Sequence, residues 1–292
     1  MTAEPVRQRR DGSRDQTYPE LPEPLPREVV DSHCHLDIGD GETWLDVEEA
    51  LRRARSVGVR GIVQVGCDLP SSRWSVRAAT TYEHIVATVA LHPNEAPQMY
   101  AEHGRSALEQ AWEEIDHLAS DPCVRAIGET GLDHFRTPPD GRPIQEESFR
   151  RHIEMAKRHG KPVMIHDRDA HDDVVRVLDS EGAPDRVVFH CFSGGPELAR
   201  ICADRGWVMS FAGTVTFRNA QQVRDALVVA PLDLVVVETD APFLAPTPYR
   251  GRPNASYLIP HTLRAMAEVK GVSVEDLAGA VDATTTRTFG HI

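Results

Sequence analysis

No apolar stretch in this chain approaches the ~18 residues that a membrane-spanning helix needs. The N-terminus is mixed in charge and lacks the basic start and apolar middle of a secretory signal. Cysteine is scarce: five residues in 292, odd in number and with no C-x-x-C pair, which argues against a disulfide framework and a cysteine zinc knuckle. Positive charge is also short, because 32 Lys and Arg face 45 Asp and Glu and leave a formal charge of −13. Such a chain repels a polyanion at long range, so it does not grip duplex DNA by general counterion release. Any phosphate substrate has to be attracted locally, and metal ions are the obvious local positive charge. Neither G-x-G-x-x-G nor a Walker A sequence occurs, which weakens a nucleotide-binding fold. A cytoplasmic globular protein with reduced thiols is the expectation that these absences leave.

With 40% apolar and 26% charged residues there is ample material for a core, and 292 residues fit either two ordinary domains or one large α/β barrel. Residues 1–27 are rich in Pro, Arg, Asp and Glu without periodic apolar signal, and read as a flexible, disordered leader; residues 28–292 read as a single domain. Apolar, β-branched runs then recur at 29–36, 61–67, 85–92, 124–133, 162–169, 187–192, 207–212 and 234–240. Helix-like amphipathic segments separate them, for example 43–57, 106–119, 145–159, 170–180 and 196–205. Pro196 follows Gly194-Gly195 and suits a first helical position. Near-continuous apolar strands alternating with helices indicate a parallel sheet covered on both faces. Eight such units predict a (β/α)8 TIM barrel. The rival, a doubly wound open sheet, would gather its site at one switch point instead of at many strand ends. Segments 256–270 and 273–289 read as two closing helices, the second capped by Ser273 with Glu275 and Asp276 in its first turn.

His33 and His35 stand two apart at the end of the first run, and strand spacing points both imidazoles to one face, with Cys34 between them facing away to pack against a helix. Alone, H-x-H is weak and more often just a polar strand end. Glu129, His166, His190 and Asp240 each close their own run, however, and all six are metal-ligand types. A single ion would leave too many of them idle. Two divalent cations would use all six, and such a pair can polarise an ester or phosphoryl oxygen and supply a nucleophile at neutral pH. Glu129 could instead be a salt-bridge partner, but its flanking glycines permit the close backbone approach of a site wall. Asp240 could cap a helix, but Pro242, Pro246 and Pro248 disfavour an immediate one, and a carboxylate there can accept a proton from the attacking water. The run from His190 through Ser193 and Gly194 to Gly195 could cradle a phosphate on its backbone N–H groups or be a plain tight turn. Arg168, Arg250 and Arg252 are candidate phosphate contacts, each with the alternative of a solvated surface arginine. His92 ends the third run and is expected to line the mouth on the substrate side without holding metal.

The motifs Asp31-Ser32-His33-Cys34-His35-Leu36-Asp37, Ala126-Ile127-Gly128-Glu129-Thr130-Gly131-Leu132-Asp133, Val163-Met164-Ile165-His166-Asp167-Arg168-Asp169-Ala170, His190-Cys191-Phe192-Ser193-Gly194 and Glu238-Thr239-Asp240-Ala241-Pro242-Phe243 occur in one order. In them the chain resembles the TatD family of metal-dependent deoxyribonucleases, a branch of the amidohydrolase superfamily. The resemblance implies that His33, His35 and Asp240 hold one ion, His166 and His190 the other, and that Glu129 bridges. It also implies phosphodiester cleavage, usually with magnesium or manganese, on single-stranded or frayed DNA ends; by donor chemistry alone a His/carboxylate set accepts Zn as well. Two departures, His92-Pro93-Asn94 where His-Pro-His is expected and Tyr249 where a His often precedes Arg-Gly, fall at the substrate rim and bear on substrate choice. The rival reading keeps the metals and has the enzyme open a small lactone, amide or phosphoester.

Overall fold

In a computed structural model of the chain, residues 7–8, 14–40 and 44–292 are described. Eight strands alternate with helices: β1 (Val29–Cys34), α1 (Val47–Ser56), β2 (Val59–Val65), α2 (Leu69–Thr81), β3 (Ile85–Val89), α3 (Glu95–Ala119), β4 (Val124–Asp133), α4 (Arg142–His159), β5 (Val163–Arg168), α5 (His171–Glu181), β6 (Val187–Phe189), α6 (Pro196–Arg205), β7 (Val208–Phe211), α7 (Gln221–Val229), β8 (Val235–Val237), α8 (Ile259–Lys270) and α9 (Val274–Phe289). They form one sheet in sequence order from β1 to β8, with a further parallel bridge between Cys34 and Ala241, just beyond the ends of the first and last strands. This is the (β/α)8 barrel fold. Strands such as β3 and β8 are buried at every residue, as expected of a parallel sheet covered on both faces. Among the described residues no helix is long and apolar enough to cross a membrane.

Helix boundaries follow local chemistry. Asp46 caps α1 by accepting the Glu49 N–H at 2.8 Å, with Glu48 and Glu49 in the first turn and Arg53 and Arg55 in the last. Ser273 caps α9 as expected, accepting the Asp276 N–H at 3.0 Å. The helix expected at 106–119 extends back to Glu95 across a break at Gly104, whose φ of 77° interrupts the helical backbone.

The described residues pack as two compact units, one formed by those up to 64 together with 82–85 and 191–292, the other by 65–81 and 86–190. In the first, β1 and β8 meet at a buried carboxylate. Asp31 Oδ1 accepts the Thr239 N–H at 2.9 Å and Oδ2 accepts the Thr239 hydroxyl at 2.5 Å. Ser32 donates to the Val237 carbonyl at 2.9 Å and stands 3.0 Å from the Ser210 hydroxyl. Cys34 packs with Ile62 and Ala241 against Leu51 of α1, the outward packing expected of it. In the second unit the ten-residue β4 pairs with β5 in parallel, Gly131 opposite His166 and Asp133 opposite Arg168.

The expected leader is corrected where it is described. Residues 1–6 and 9–13 lie outside the described residues, but 14–27 are not detached from the first unit. The Tyr257 hydroxyl donates to the Pro19 carbonyl at 2.6 Å, Arg252 Nε to the Thr17 carbonyl at 2.9 Å, Arg264 to the Glu23 carbonyl at 2.7 Å, and the Leu25 N–H to the Val57 carbonyl at 3.0 Å. A proline-rich segment with few donors of its own is held here mainly by donors from the folded body, with the Leu25 N–H donating in return.

Asp31→Ala removes both acceptors of Thr239 and is expected to lower the unfolding free energy by about 2–4 kcal/mol in urea denaturation. Asp31→Asn, which keeps one acceptor for the Thr239 N–H, is expected to lose less than half as much. Equal losses would show that the junction does not depend on that acceptor.

Candidate metal centre

In the first unit, His33 and His35 come from the end of β1 and Asp240 from just beyond β8. The two Nε2 atoms are 3.2 Å apart, and Asp240 Oδ1 lies 3.7 Å from that of His33 and 3.4 Å from that of His35. Both imidazoles are buried. Asp240 has a φ of 53°, a left-handed conformation uncommon outside glycine, and one that concentrates at functional sites. Its N–H donates to the His33 carbonyl at 2.9 Å and its own carbonyl accepts the Phe243 N–H at 2.8 Å, which holds that turn against the β1 end. Ligand atoms of the three residues all lie within 4.8 Å of one another.

In the second unit, Glu129 on β4 is the hub. Its Oε1 is 2.6 Å from His166 Nδ1 on β5, 2.9 Å from His190 Nε2 just past β6, and 3.5 Å from His92 Nε2 beyond β3. Close approach of β4 and β5 requires the flanking glycines: a Cβ on Gly128 would meet Met164 Cβ at 2.5 Å, and one on Gly131, at φ 137°, would run into the His166 carbonyl. Burial alone would push the Glu129 carboxyl up, but the charges of His190 and His92 and the hydrogen bonds of His166 and His190 outweigh it and hold the group well below the usual carboxylate range. Asp133, four residues on and on the same strand face, places Oδ2 3.3 Å from His166 Nε2. Burial again works against its charge, and hydrogen bonds from His166, Asn94 and the Arg136 N–H hold it ionised. For His166 burial favours the neutral ring, and the Asp133 and Glu129 hydrogen bonds reverse that and raise its pKa.

A buried polar lattice supports these groups. Asn94 Nδ2 donates to Asp133 Oδ2 at 3.0 Å, and Asn94 Oδ1 accepts the Thr137 hydroxyl at 2.9 Å. Gln145 Oε1 accepts the Asp133 N–H at 3.0 Å while its Nε2 donates to Thr137 Oγ1 at 2.7 Å and to the Pro93 carbonyl at 3.0 Å. His152 on α4 accepts the Leu91 N–H on Nε2 at 3.1 Å, its Nδ1 lying 2.6 Å from the Ser148 carbonyl, so it fixes the backbone next to His92. Being fully buried, it has its pKa pushed down to about 4.

The structure thus brings together His33, His35 and Asp240 in one unit, and Glu129, His166 and His190 in the other. His92, expected to line the mouth without holding metal, lies with Glu129 and His166 in a group of potential ligands, all within 4.8 Å. Arg252 is corrected as a substrate contact, because the Thr17 and Tyr18 carbonyls and Asp15, 3.3 Å away, engage its guanidinium. The phosphate cradle is likewise lost at two positions, since the Cys191 N–H donates to Glu238 Oε1 at 2.8 Å and the Phe192 N–H to the Ser210 carbonyl at 2.8 Å. Ser193 is exposed and Gly194 is buried against Leu198. Arg168 and Arg250 lie over aromatic rings, 4.0 Å from the Phe135 centroid and 4.2 Å from that of Phe217. Sequence reasoning missed Asp133, Asn94, Gln145 and His152, and also Cys67, whose Sγ is 3.6 Å from Glu129 Oε2. Asp133 shares the period-two face of Glu129, and Cys67 closes a run as the ligands do, so both were accessible; Gln145 and His152, on a helix, gave no signal.

Imidazoles set against ionised carboxylates fit divalent cations. On a (β/α)8 fold, such donors at strand ends mark a metal-dependent hydrolase. The chain belongs to the family described as TatD related DNase, which matches residues 30–290. It is 41% identical to TatD of Mycobacterium tuberculosis, named an uncharacterized metal-dependent hydrolase, over 90% of this chain and 98% of that one. The similarly named YcfH of Escherichia coli K12 is 38% identical over 90% of this chain and 96% of its own. The crystal structure of YjjV, a TatD homologue from Escherichia coli K12, matches with a TM-score of 0.82 and 27% identity, covering 90% of this chain and 98% of that one. A mutant organophosphorus hydrolase from Deinococcus radiodurans, at 15% identity and a TM-score of 0.59, shares the fold.

The native state keeps His152 neutral down to about 4, whereas the unfolded chain takes up that proton near the ordinary histidine value of about 6.5. Its contribution is therefore intact above about pH 6.5 and is lost as pH falls toward 4, by of order 3 kcal/mol in total. His152→Gln can donate to the Ser148 carbonyl and accept from Leu91 without titrating. Urea midpoints followed from about pH 7.5 to 4.5 are expected to fall less steeply in the variant than in the parent. Parallel curves would remove His152 as the cause.

Proposed function

We propose that the protein is a two-metal phosphodiesterase, a deoxyribonuclease that trims single-stranded DNA or frayed ends. One cation falls to His33, His35 and Asp240, and a second to His166 and His190 with Glu129. The observation that carries this reading is the pair of donor groups, each setting imidazole nitrogens against a carboxylate oxygen, in a chain of the DNase family. Divalent cations in such groups stabilise charge on a phosphoryl oxygen and acidify water to near neutrality. Glu129, held ionised, neutralises part of the charge in its group. Asp240, with 15% of its side chain exposed, is the carboxylate open enough to take a proton from the attacking water. His92 lies close enough to Glu129 to hold that carboxylate in place or to join it as a ligand. The donor set suits Mg or Mn through its oxygens and Zn through its nitrogens. The charge of −13 fits a substrate that reaches the site by its end and is drawn in only locally. Five cysteines without a disulfide framework suit the cytoplasm.

The same charge also favours a second reading, in which the substrate is a small lactone, amide or phosphoester. Chelator-treated protein is expected to lose cleavage of end-labelled single-stranded DNA and to regain it on adding Mg, Mn or Zn. Glu129→Ala and Asp240→Ala are each expected to lower the rate at least about 100-fold and to reduce bound metal measured by elemental analysis, with melting temperatures showing folded protein. Turnover of lactones, amides or small phosphoesters beside untouched DNA would shift the assignment to the second reading, and full activity in either variant would remove that residue's role.

A further inference from the structure

Phe135 lies two residues past the end of β4 with 64% of its surface exposed, unlike most large apolar side chains of the molecule. One face of its ring carries the guanidinium of Arg168, 4.0 Å from the centroid. Arg168 ends β5, lies opposite Asp133 in the strand register, and accepts the His134 N–H on its carbonyl at 2.9 Å. Two paired strand ends therefore fix the stacked pair beside the group in which Asp133 stands 3.3 Å from His166.

Several arginines of the same unit, Arg73, Arg105, Arg150, Arg158 and Arg176, are each tied to a carboxylate. Among the described residues Arg168 makes no such pair; its guanidinium rests on the ring alone. An exposed ring with a cation on one face, next to a candidate metal group in a chain of net negative charge, matches the elements that bind single strands: a π-surface for a base and a positive group for the backbone.

We propose that Phe135 and Arg168 form a base-stacking subsite, in which a nucleobase of the substrate strand lies on the Phe135 ring and Arg168 meets the adjoining phosphate. This rests on the nuclease reading and deepens it, because it makes the enzyme sensitive to an unpaired base near the cut and tolerant of which base it is. Duplex bases, whose faces are already stacked, would not engage the ring, which accounts for a preference for single-stranded or frayed ends.

The test uses the metal-loaded full chain, single-stranded oligonucleotides with and without an abasic position near the cleaved end, and phosphorothioate-linked copies for binding by fluorescence anisotropy. Phe135→Ala is expected to weaken binding and raise KM about 5- to 100-fold, with the loss in KM rather than kcat. Phe135→Trp is expected to retain or tighten binding. Removing the base is expected to cost the parent a similar factor and Phe135→Ala almost nothing more, which a purely structural role for Phe135 would not produce. A parent that cuts DNA while Phe135→Ala binds equally well, or keeps the full abasic penalty, overturns the subsite alone. A parent that neither binds nor cuts these strands overturns the nuclease reading and the subsite with it.

Discussion

Asp31 is the point on which the first donor group depends. Its carboxylate joins the first and last strands by accepting both the N–H and the hydroxyl of Thr239. His33 is two residues after Asp31, and Asp240 is the residue after Thr239, so those bonds place the ligands as directly as they place the strands. Burial pushes the Asp31 carboxyl up to about 7 against these hydrogen bonds. A buried acid of this kind persists only where its partners are satisfied, and removing one side leaves a donor with no water to turn to. The left-handed turn at Asp240 is held by the same junction, through its N–H to the His33 carbonyl.

The second unit solves its problem differently. Three imidazoles approach one carboxylate, Glu129, and an oxygen of a second carboxylate, Asp133, lies 3.3 Å from the far nitrogen of His166. An outer carboxylate in that position is the kind of group that orients metal-binding histidines. Asp133 is in turn fixed by Asn94 and by Gln145 acting on its N–H. Asn94, a departure from the His-Pro-His expected after the third strand, belongs to the support of Asp133. His92 from the same stretch reaches Glu129 itself.

The strands and the six donor residues were legible because their signals are local. Apolar β-branched runs mark buried parallel strands, strand alternation puts His33 and His35 on one face, and a donor type at the end of a run is visible without knowing its neighbours. Helix α2 is harder to read, because its buried face carries Ser71, Ser72 and Ser75 with Trp74 and Ala78. Those hydroxyls bond to backbone: Ser71 accepts the Cys67 N–H at 2.9 Å and Ser75 donates to the Ser71 carbonyl at 2.8 Å, so polar residues pack where a periodicity argument looks for apolar ones. Asp15, Thr17 and Tyr18 lie more than two hundred residues from Arg252, and no spacing rule foretells that an arginine after the last strand is engaged by them. Arg168 illustrates the middle ground. Its position at a strand end is readable, but the exposed phenyl ring beneath it belongs to another strand end and only the fold joins them.

The ties between the N-terminal segment and the body have a practical side for anyone trimming the protein for crystallisation or labelling. The aromatic ring of Tyr257 is wholly enclosed and its hydroxyl is satisfied by the Pro19 carbonyl. Cutting the chain at the start of the first strand would uncover that ring and leave the hydroxyl to find water, and Arg252 and Arg264 would lose backbone acceptors in the same stroke. A shortened version should keep everything from Arg7 onward, because Arg7 and Gln8 pair in parallel with Ile38 and Gly39 and the Arg7 guanidinium stands 2.7 Å from Asp37.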